Sequence, residues 1–182
     1  MTDETGKLNV AVIGCGDWGP RHVRNFSANE RVDLRVVADL DPEKLAAVAQ
    51  RFPGVETTTD TDRVMQDAAL DAVVIATPTE THYRLSRQAL TRGKHVLCEK
   101  PLTLCASESE DLCRCAAETG RIMMVGHVFL FNPGIMFLRE EMRSGRLGSV
   151  CSIDSVRTNL GPFRRDVGCI YRTAVRRRCR TF

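Results

Sequence analysis

Three glycines near the amino-terminal end follow the spacing G-x-G-x-x-G. They are Gly14, Gly16 and Gly19, and Asp17 and Trp18 lie between the last two. In such a loop the first glycine allows a tight turn, the second lets the backbone approach a pyrophosphate, and the third lets a helix pack closely on a strand. The amides at the start of the following helix then face the phosphates. The spacing therefore predicts a loop that binds a dinucleotide.

An acidic residue follows this loop at the distance typical of dinucleotide-binding domains. Asp39 lies 20 residues after Gly19, at the end of the second apolar run. A carboxylate there accepts hydrogen bonds from a ribose diol and repels a 2′-phosphate. We therefore expect NAD as the cofactor and disfavour NADP. The alternative is a glycine turn in another α/β protein such as a methyltransferase, which leaves the motifs described next unexplained.

Three later groups of polar residues also come at the ends of apolar runs. They are Thr77-Pro78 with Thr81-His82 beyond it, Glu99-Lys100-Pro101, and Gly126-His127 with Asn132 beyond it. Open α/β sheets bind their ligands at the carboxyl ends of the strands, so all three groups are candidates for one site. Each also has a purely structural interpretation: a turn, a solvated ion pair and a structural histidine.

Apolar runs alternate with helix-like stretches over the first two thirds of the chain. The runs are Val10–Ile13, Leu34–Ala38, Ala72–Ala76, His95–Cys98 and Ile122–Val125. Their β-branched character, apolar on both faces, is typical of strands buried in a parallel sheet. Thr81 is expected to cap the helix before the fourth of these runs. The alternation predicts an α/β fold with a doubly wound parallel (Rossmann) sheet.

The alternation of apolar runs and helix-like stretches ends after Gly126. We expect residues 1–126 to form a dinucleotide-binding domain, 127–168 the start of a second α/β domain, and 169–182 an irregular basic tail. Within the second segment the pattern predicts a helix over 135–143 and a strand over 151–158.

Five segments together resemble the Gfo/Idh/MocA family of oxidoreductases, the glucose–fructose oxidoreductase and inositol dehydrogenase type. They are VAVIGCGDWGPRHVRNF, VVADLDPEKL, VVIATPTETHY, GKHVLCEKPLTL and VGHVFLFNPGI. The resemblance implies NAD(P)-linked hydride transfer at a secondary alcohol of a sugar, cyclitol or nucleotide sugar. It covers residues 8 to about 167.

The resemblance also implies roles for single residues on the cofactor side. Lys100 matches the family's active-site lysine, close to nicotinamide and substrate, where an ammonium can hold the reacting oxygen. Glu99 and Pro101 would set its geometry, and the Lys-Pro bond is often cis in the family. The further residues expected to line the cofactor are Thr77, Pro78 and His82.

On the substrate side the resemblance points to four residues. His127 and Asn132 are expected near the substrate, and Arg164 or Arg165 would pair with an anionic substrate group. The two arginines have an equally good interpretation as part of a solvated loop.

The last part of the chain departs from the family. The general base of the family is usually a histidine shortly after the region that ends at Val167, whereas no histidine follows His127 here. Arginine stays protonated and cannot replace it. We expect this chain to turn over poorly or not at all. A frameshift near codon 168 is the favoured explanation of the arginine-rich stretch that follows, and a genuine disordered tail is the alternative.

Composition narrows the classes of partner. The 182 residues include 26 Lys and Arg and 23 Asp and Glu. Five of the arginines lie in 172–182, a stretch without any acidic residue. Residues 1–171 therefore hold 21 basic and 23 acidic residues. Because the excess positive charge is confined to the tail, nucleic-acid binding is not expected. No apolar run approaches the roughly 20 residues of a membrane span. Eight cysteines without a C-x-x-C pair, and no export signal, predict reduced thiols, no metal and a cytoplasmic protein.

The expected partner is a small sugar-type substrate. The full-length parent is expected to be a homo-oligomer, and the apolar stretch around 128–138 predicts self-association of this chain. The alternative function is a non-catalytic dinucleotide-binding or partner-binding module.

Overall fold

Six short strands pair in parallel to form one sheet in the computed structural model, which describes residues 6–156. The strands are β1 (Leu8–Ile13), β2 (Val32–Ala38), β3 (Glu56–Thr58), β4 (Ala72–Ile75), β5 (His95–Cys98) and β6 (Met123–Val125). Their spatial order is β3-β2-β1-β4-β5-β6. The order reverses between β1 and β4, which is the arrangement of a doubly wound dinucleotide-binding sheet and confirms the predicted fold class.

Helices connect successive strands and begin where the sequence offers a start signal. They are α1 (Gly19–Ser27), α2 (Pro42–Arg51), α3 (Thr61–Gln66), α4 (Thr79–Thr91) and α5 (Ala106–Thr119). The Asp41 and Asp60 side chains cap α2 and α3 by accepting backbone N–H hydrogen bonds. Gly120 ends α5 in the left-handed conformation, with φ 64°.

The core lies on both faces of the sheet because the central strands are apolar on both faces. Along β1, Val10 and Val12 pack into one buried cluster, while Ala11 and Ile13 pack into the other. This alternation follows the two-residue period of a strand. Leu112 of α5 lies in the Ile13 cluster and Val23 of α1 in the Val12 cluster, so helices cover both faces.

Two details of the secondary structure differ from the sequence-based expectation. Thr81 does not cap α4: the helix begins at Thr79 after Pro78, and the Thr81 hydroxyl donates to the Pro78 carbonyl at 2.7 Å. Residues 151–156 take no regular secondary structure where a strand was predicted over 151–158. A strand needs a neighbour to satisfy its backbone, and 151–156 have none in the described structure.

The described chain divides into two compact units, residues 6–126 and 127–156. The second unit contains a 3-10 helix (Val128–Phe131) and α6 (Pro133–Arg143). Both carry many exposed apolar side chains. Among the described helices none has the length and apolar character needed to cross a bilayer.

Candidate functional site

The turns that follow the strands meet at the carboxyl edge of the sheet and are hydrogen-bonded to one another. The Gly14 N–H donates to the Ala38 carbonyl at 2.7 Å, and the Ala76 N–H donates to the Ile13 carbonyl at 2.8 Å. The Glu99 and Gly126 N–H groups continue the ladder, with donor–acceptor distances of 2.9 and 2.8 Å. The strands thus bring the glycine loop, Asp39, Thr77 and Glu99 to one edge.

Two of the three loop glycines leave no room for a side chain. A Cβ on Gly19 would lie 2.0 Å from the Gly14 carbonyl oxygen, and one on Gly14 would lie 2.7 Å from the Ala76 carbonyl carbon. Gly14 also has φ 99°, which favours glycine. A Cβ on Gly16, in contrast, would meet nothing within 4 Å. Gly14 and Gly19 therefore hold the loop against β4 and α1, and Gly16 keeps an open surface in front of them.

The start of α1 offers its backbone to a ligand. No side chain caps this helix at Trp18, Pro20 is in its first turn, and the first turn has no acidic residue. The positive end of the helix dipole is therefore not neutralised by a carboxylate of its own first turn. The guanidinium of Arg21 lies 4.6 Å from the centre of the Trp18 ring, so a cation packs on the ring beside this helix start.

Asp39 is already engaged by the protein backbone. Its Oδ2 accepts the Cys15 N–H of the glycine loop at 2.5 Å, and its Oδ1 accepts the Asp41 N–H at 2.8 Å. Each carboxylate oxygen can accept a further hydrogen bond. Asp39 thus orders the glycine loop and keeps acceptor capacity for a ribose diol.

Glu99 and Lys100 form the turn after β5, and the Lys100–Pro101 peptide bond is cis. Glu99 is 7% exposed; its Oε1 accepts from His22 Nε2 at 2.9 Å and its Oε2 accepts from the Lys100 N–H at 3.2 Å. Burial alone raises the pKa of Glu99. The hydrogen bonds from His22 and Lys100 and their charges outweigh burial, so this pKa lies below its ordinary value. Glu99 is therefore held as a buried carboxylate, while Lys100 is exposed.

His82 connects two of the turns without being exposed itself. It is 1% exposed; Nδ1 lies 2.9 Å from the Pro101 carbonyl oxygen and Nε2 lies 2.8 Å from that of Thr77. Any effect of His82 on a cofactor is therefore exerted through these backbones. The Thr77 hydroxyl is 2.7 Å from that of Thr81, and Pro78 is exposed.

The residues expected on the substrate side belong to other parts of the chain. His127 and Asn132 lie in the second unit, where Asn132 caps α6 by accepting the Gly134 N–H at 2.9 Å. Arg164 and Arg165 lie outside the described residues, as do the basic tail and the segment in which a histidine base was expected. Their assignment to a substrate stays a prediction.

His22 is a site residue that the sequence analysis did not single out. With Gly19, Val23 and Phe26 it forms the stripe of α1 that faces the sheet, at helical spacing. A histidine inside an otherwise apolar stripe signals a buried partner, which here is Glu99. Within the described residues no cluster of three or more His, Cys, Asp or Glu could hold a metal.

These features fit a dinucleotide. The open surface at Gly16, the uncapped start of α1 and the acid after β2 correspond to pyrophosphate and ribose recognition, and they lie at the reversal of strand order. Fold and site together define a dinucleotide-binding Rossmann domain.

Comparison with known proteins identifies the family. Residues 8–127 match the GFO_IDH_MocA family, described as an oxidoreductase family with an NAD-binding Rossmann fold. The chain belongs to this family, as its sequence motifs predicted.

The relatives include inositol dehydrogenases. The chain is 32% identical to inositol 2-dehydrogenase 2 of Saccharopolyspora erythraea, covering 85% of this chain and 46% of that protein. It is 35% identical to inositol 2-dehydrogenase of Rhizobium meliloti, covering 79% and 43%. The crystal structure of GenD2 from gentamicin A biosynthesis, in complex with NAD, superposes with a TM-score of 0.73 at 33% identity, covering 80% and 42%. The chain thus spans less than half the length of the curated relatives it matches.

Proposed function

We propose that this chain is the cofactor-binding part of an NAD-dependent oxidoreductase that acts on a secondary alcohol of a sugar or cyclitol. The observation that carries the proposal is the exposed Lys100, held beside a dinucleotide-binding edge by the buried Glu99. The family match and the inositol dehydrogenases among the relatives support the substrate class.

Different residues of this chain would bind different parts of the cofactor and the substrate. The backbone from Gly14 to Gly19 would hold the pyrophosphate, Asp39 the adenosine ribose, and the turn at Thr77 and Pro78 the middle of the cofactor. NAD, when bound, accepts the hydride that leaves the alcohol carbon. The Lys100 ammonium would hold the alcohol oxygen and stabilise the negative charge that develops on it.

NAD is the proposed cofactor, with NADP disfavoured. The Asp39 carboxylate lies against the glycine loop through its bond to Cys15. A 2′-phosphate on the adenosine ribose would be placed beside this carboxylate and repelled.

We propose that substrate contacts come from His127, Asn132, Arg164 and Arg165. The alcohol proton needs an acceptor, and no histidine follows His127 in the sequence. The second candidate function is a non-catalytic dinucleotide-binding module; it is favoured because no histidine lies after His127 among the described residues.

Location and assembly belong to the proposal as well. All six cysteines among the described residues are free thiols, which suits the reducing cytoplasm. The exposed apolar side chains of the second unit favour a homo-oligomer.

The experiment that tests the proposal is titration of the chain with NADH, NADPH and S-adenosylmethionine while the fluorescence of Trp18, its only tryptophan, is recorded. NADH should change the emission at lower concentration than NADPH, and S-adenosylmethionine should have no effect. An unchanged emission at saturating NADH would contradict the proposal. NAD reduction with a panel of inositols and sugars then separates the dehydrogenase from the non-catalytic module.

A further inference from the structure

Two side chains connect the helix after the glycine loop to the turn that carries Lys100. His22 is on α1, three residues after Gly19, and its Nε2 lies 2.9 Å from Glu99 Oε1. The other oxygen of the same carboxylate accepts the Lys100 N–H at 3.2 Å. The connection is therefore continuous from α1 to the Lys100 backbone.

The Glu99 carboxylate is confined between its partners. A Cβ on Gly126 would lie 3.3 Å from Glu99 Oε2, so the β6 turn passes closely on that side. The side chain is 8% exposed and that of His22 is 17% exposed. Burying a carboxylate is costly unless it is hydrogen-bonded, and His22 supplies the only side-chain hydrogen bond to Glu99 among the described residues.

The position of His22 along α1 also relates its contact with Glu99 to the phosphate-binding loop. Gly19, at the start of the same helix, packs against the Gly14 carbonyl of the phosphate-binding loop. Gly19 and His22 lie about one turn apart on the same helix, so the backbone hydrogen bonds of α1 fix His22 relative to the loop. The loop that would bind the pyrophosphate and the turn that carries Lys100 therefore keep a fixed relative position.

We propose that His22 is a positioning residue that, through Glu99, holds the Lys100 turn in register with the dinucleotide phosphates at the start of α1. The proposal rests on the proposed function, because it assumes that a dinucleotide binds at this edge.

The strand order shows which half of the dinucleotide would sense a loss of this contact. Asp39 follows β2, on one side of the strand-order reversal, and Lys100 follows β5, on the other. A dinucleotide binds across this reversal, one half on each side. With the adenosine at Asp39, the nicotinamide half lies on the side of Lys100. ADP-ribose, which lacks nicotinamide, therefore serves as the matched probe.

The test compares dissociation constants for NADH and ADP-ribose, measured by calorimetry on the full chain. His22→Leu should weaken NADH about tenfold, as expected for the loss of one hydrogen bond to a charged group. It should change ADP-ribose binding by less than about twofold. His22→Gln, whose amide N–H can donate to Glu99, should restore most of the NADH affinity.

The control is a variant of a second histidine, His95, whose hydrogen bond is to a backbone N–H and not to Glu99. His95 begins β5 at the opposite edge of the sheet and accepts the Ile122 N–H at 2.9 Å. His95→Gln should leave the ratio of the two dissociation constants unchanged. If His22→Leu weakens NADH and ADP-ribose equally, His22 only supports α1 and the proposal is wrong.

A second measurement needs no cofactor. Hydrogen exchange of the Lys100 amide should be faster in His22→Leu than in the wild type and unchanged in His95→Gln, because Glu99 is then no longer held beside this N–H by a second partner. Unchanged exchange in His22→Leu would overturn the connection. If the wild type binds neither ligand, the proposed function fails, and the exchange rates alone decide whether His22 holds the turn.

Discussion

At the scale of single residues, the three loop glycines have two different tasks. Gly14 and Gly19 are required by the packing of the protein itself, since any side chain there meets backbone atoms. Gly16 faces open space, so its small size serves what binds in front of it. Sequence spacing marks all three alike, and only the structure separates the two tasks.

This difference predicts opposite behaviour of two alanine variants. Gly19→Ala should lower the free energy of unfolding by at least about 1–3 kcal/mol, since its Cβ overlaps the Gly14 carbonyl. Gly16→Ala should unfold at the wild-type temperature and lose NADH affinity. Thermal unfolding and NADH titration of both variants check this. Equal NADH affinity of Gly16→Ala and the wild type would remove the argument for cofactor approach at Gly16.

Glu99 predicts a pH-dependent contribution to stability. Its pKa is lowered below the ordinary value of 4.5, so the folded state favours the ionised carboxylate. The contribution is fully present above pH 4.5 and is lost as the pH falls through the lowered pKa. Glu99→Gln should therefore be less stable than the wild type at pH 7, and the gap should close in acid.

Urea unfolding between pH 7 and pH 3 measures this gap. Glu30→Gln, which alters an exposed carboxylate before β2, is the control and should show no comparable gap at any pH. A gap for Glu99→Gln that widens in acid would contradict the assignment of Glu99 as a stabilised carboxylate.

At the scale of elements, the turns depend on buried polar side chains that reach across from neighbouring elements. Lys94, between α4 and β5, is 2% exposed, and its ammonium donates to the carbonyl oxygens of Asp67 and Leu70. Burial lowers the pKa of Lys94. This lysine thus holds the segment between α3 and β4 against the start of β5.

Replacing Lys94 tests this connection. Lys94→Met fills a similar volume and removes the ammonium from both carbonyl groups, of which only Asp67 keeps another donor, the Leu70 N–H at 3.3 Å, so the free energy of unfolding should fall by about 1–3 kcal/mol. Lys44→Met removes only an exposed ion pair, in which Lys44 Nζ lies 3.5 Å from Asp41 Oδ2. It should lower the free energy of unfolding by less than about 1 kcal/mol. Chemical denaturation of both variants gives the comparison. Similar losses would show that the buried contacts of Lys94 add nothing.

The strands also show which elements could be predicted from the sequence. The apolar strands beside the site, β1, β2, β4 and β5, were predictable because burial on both faces leaves a continuous apolar run. β3 escaped this pattern since it is a three-residue edge strand, Glu56–Thr58, with little buried surface. The strand predicted over 151–158 was wrong for 151–156, because a local pattern does not supply a pairing partner.

The candidate site follows the same division. The glycine loop, Asp39 and Lys100 could be named from spacing and resemblance. The hydrogen bond between His22 and Glu99 joins residues 77 positions apart, and no local pattern encodes such a contact. The enclosure of His82 likewise depends on the turn at Pro101, which only the folded chain brings close.

At the scale of the whole molecule, the second unit presents a helix that is apolar on all sides of its first turns. Ile135, Met136, Phe137 and Leu138 are consecutive, each turned by about 100° from the last, and each is 41–62% exposed. Helices that are apolar all round are normally buried. Phe129 and Phe131 of the preceding 3-10 helix add to this surface.

This surface predicts self-association of the chain. Light scattering after gel filtration should give a mass above that of one chain, and Phe137→Ser should shift the mass towards the monomer. Ile122→Ser, which removes an equally exposed apolar side chain from the first unit, should not. A monodisperse monomer of the wild type would contradict the prediction.

The hydrogen bond from Cys15 to Asp39 has a consequence for engineering cofactor preference. The carboxylate proposed to select NAD also fixes the glycine loop, so one substitution changes both properties. Exchanging Asp39 for a residue without a side-chain acceptor, such as alanine, would remove the repulsion of NADP and also leave the Cys15 N–H without its acceptor. A successful redesign must therefore supply two things: a positive charge for the 2′-phosphate, and a new acceptor for the loop.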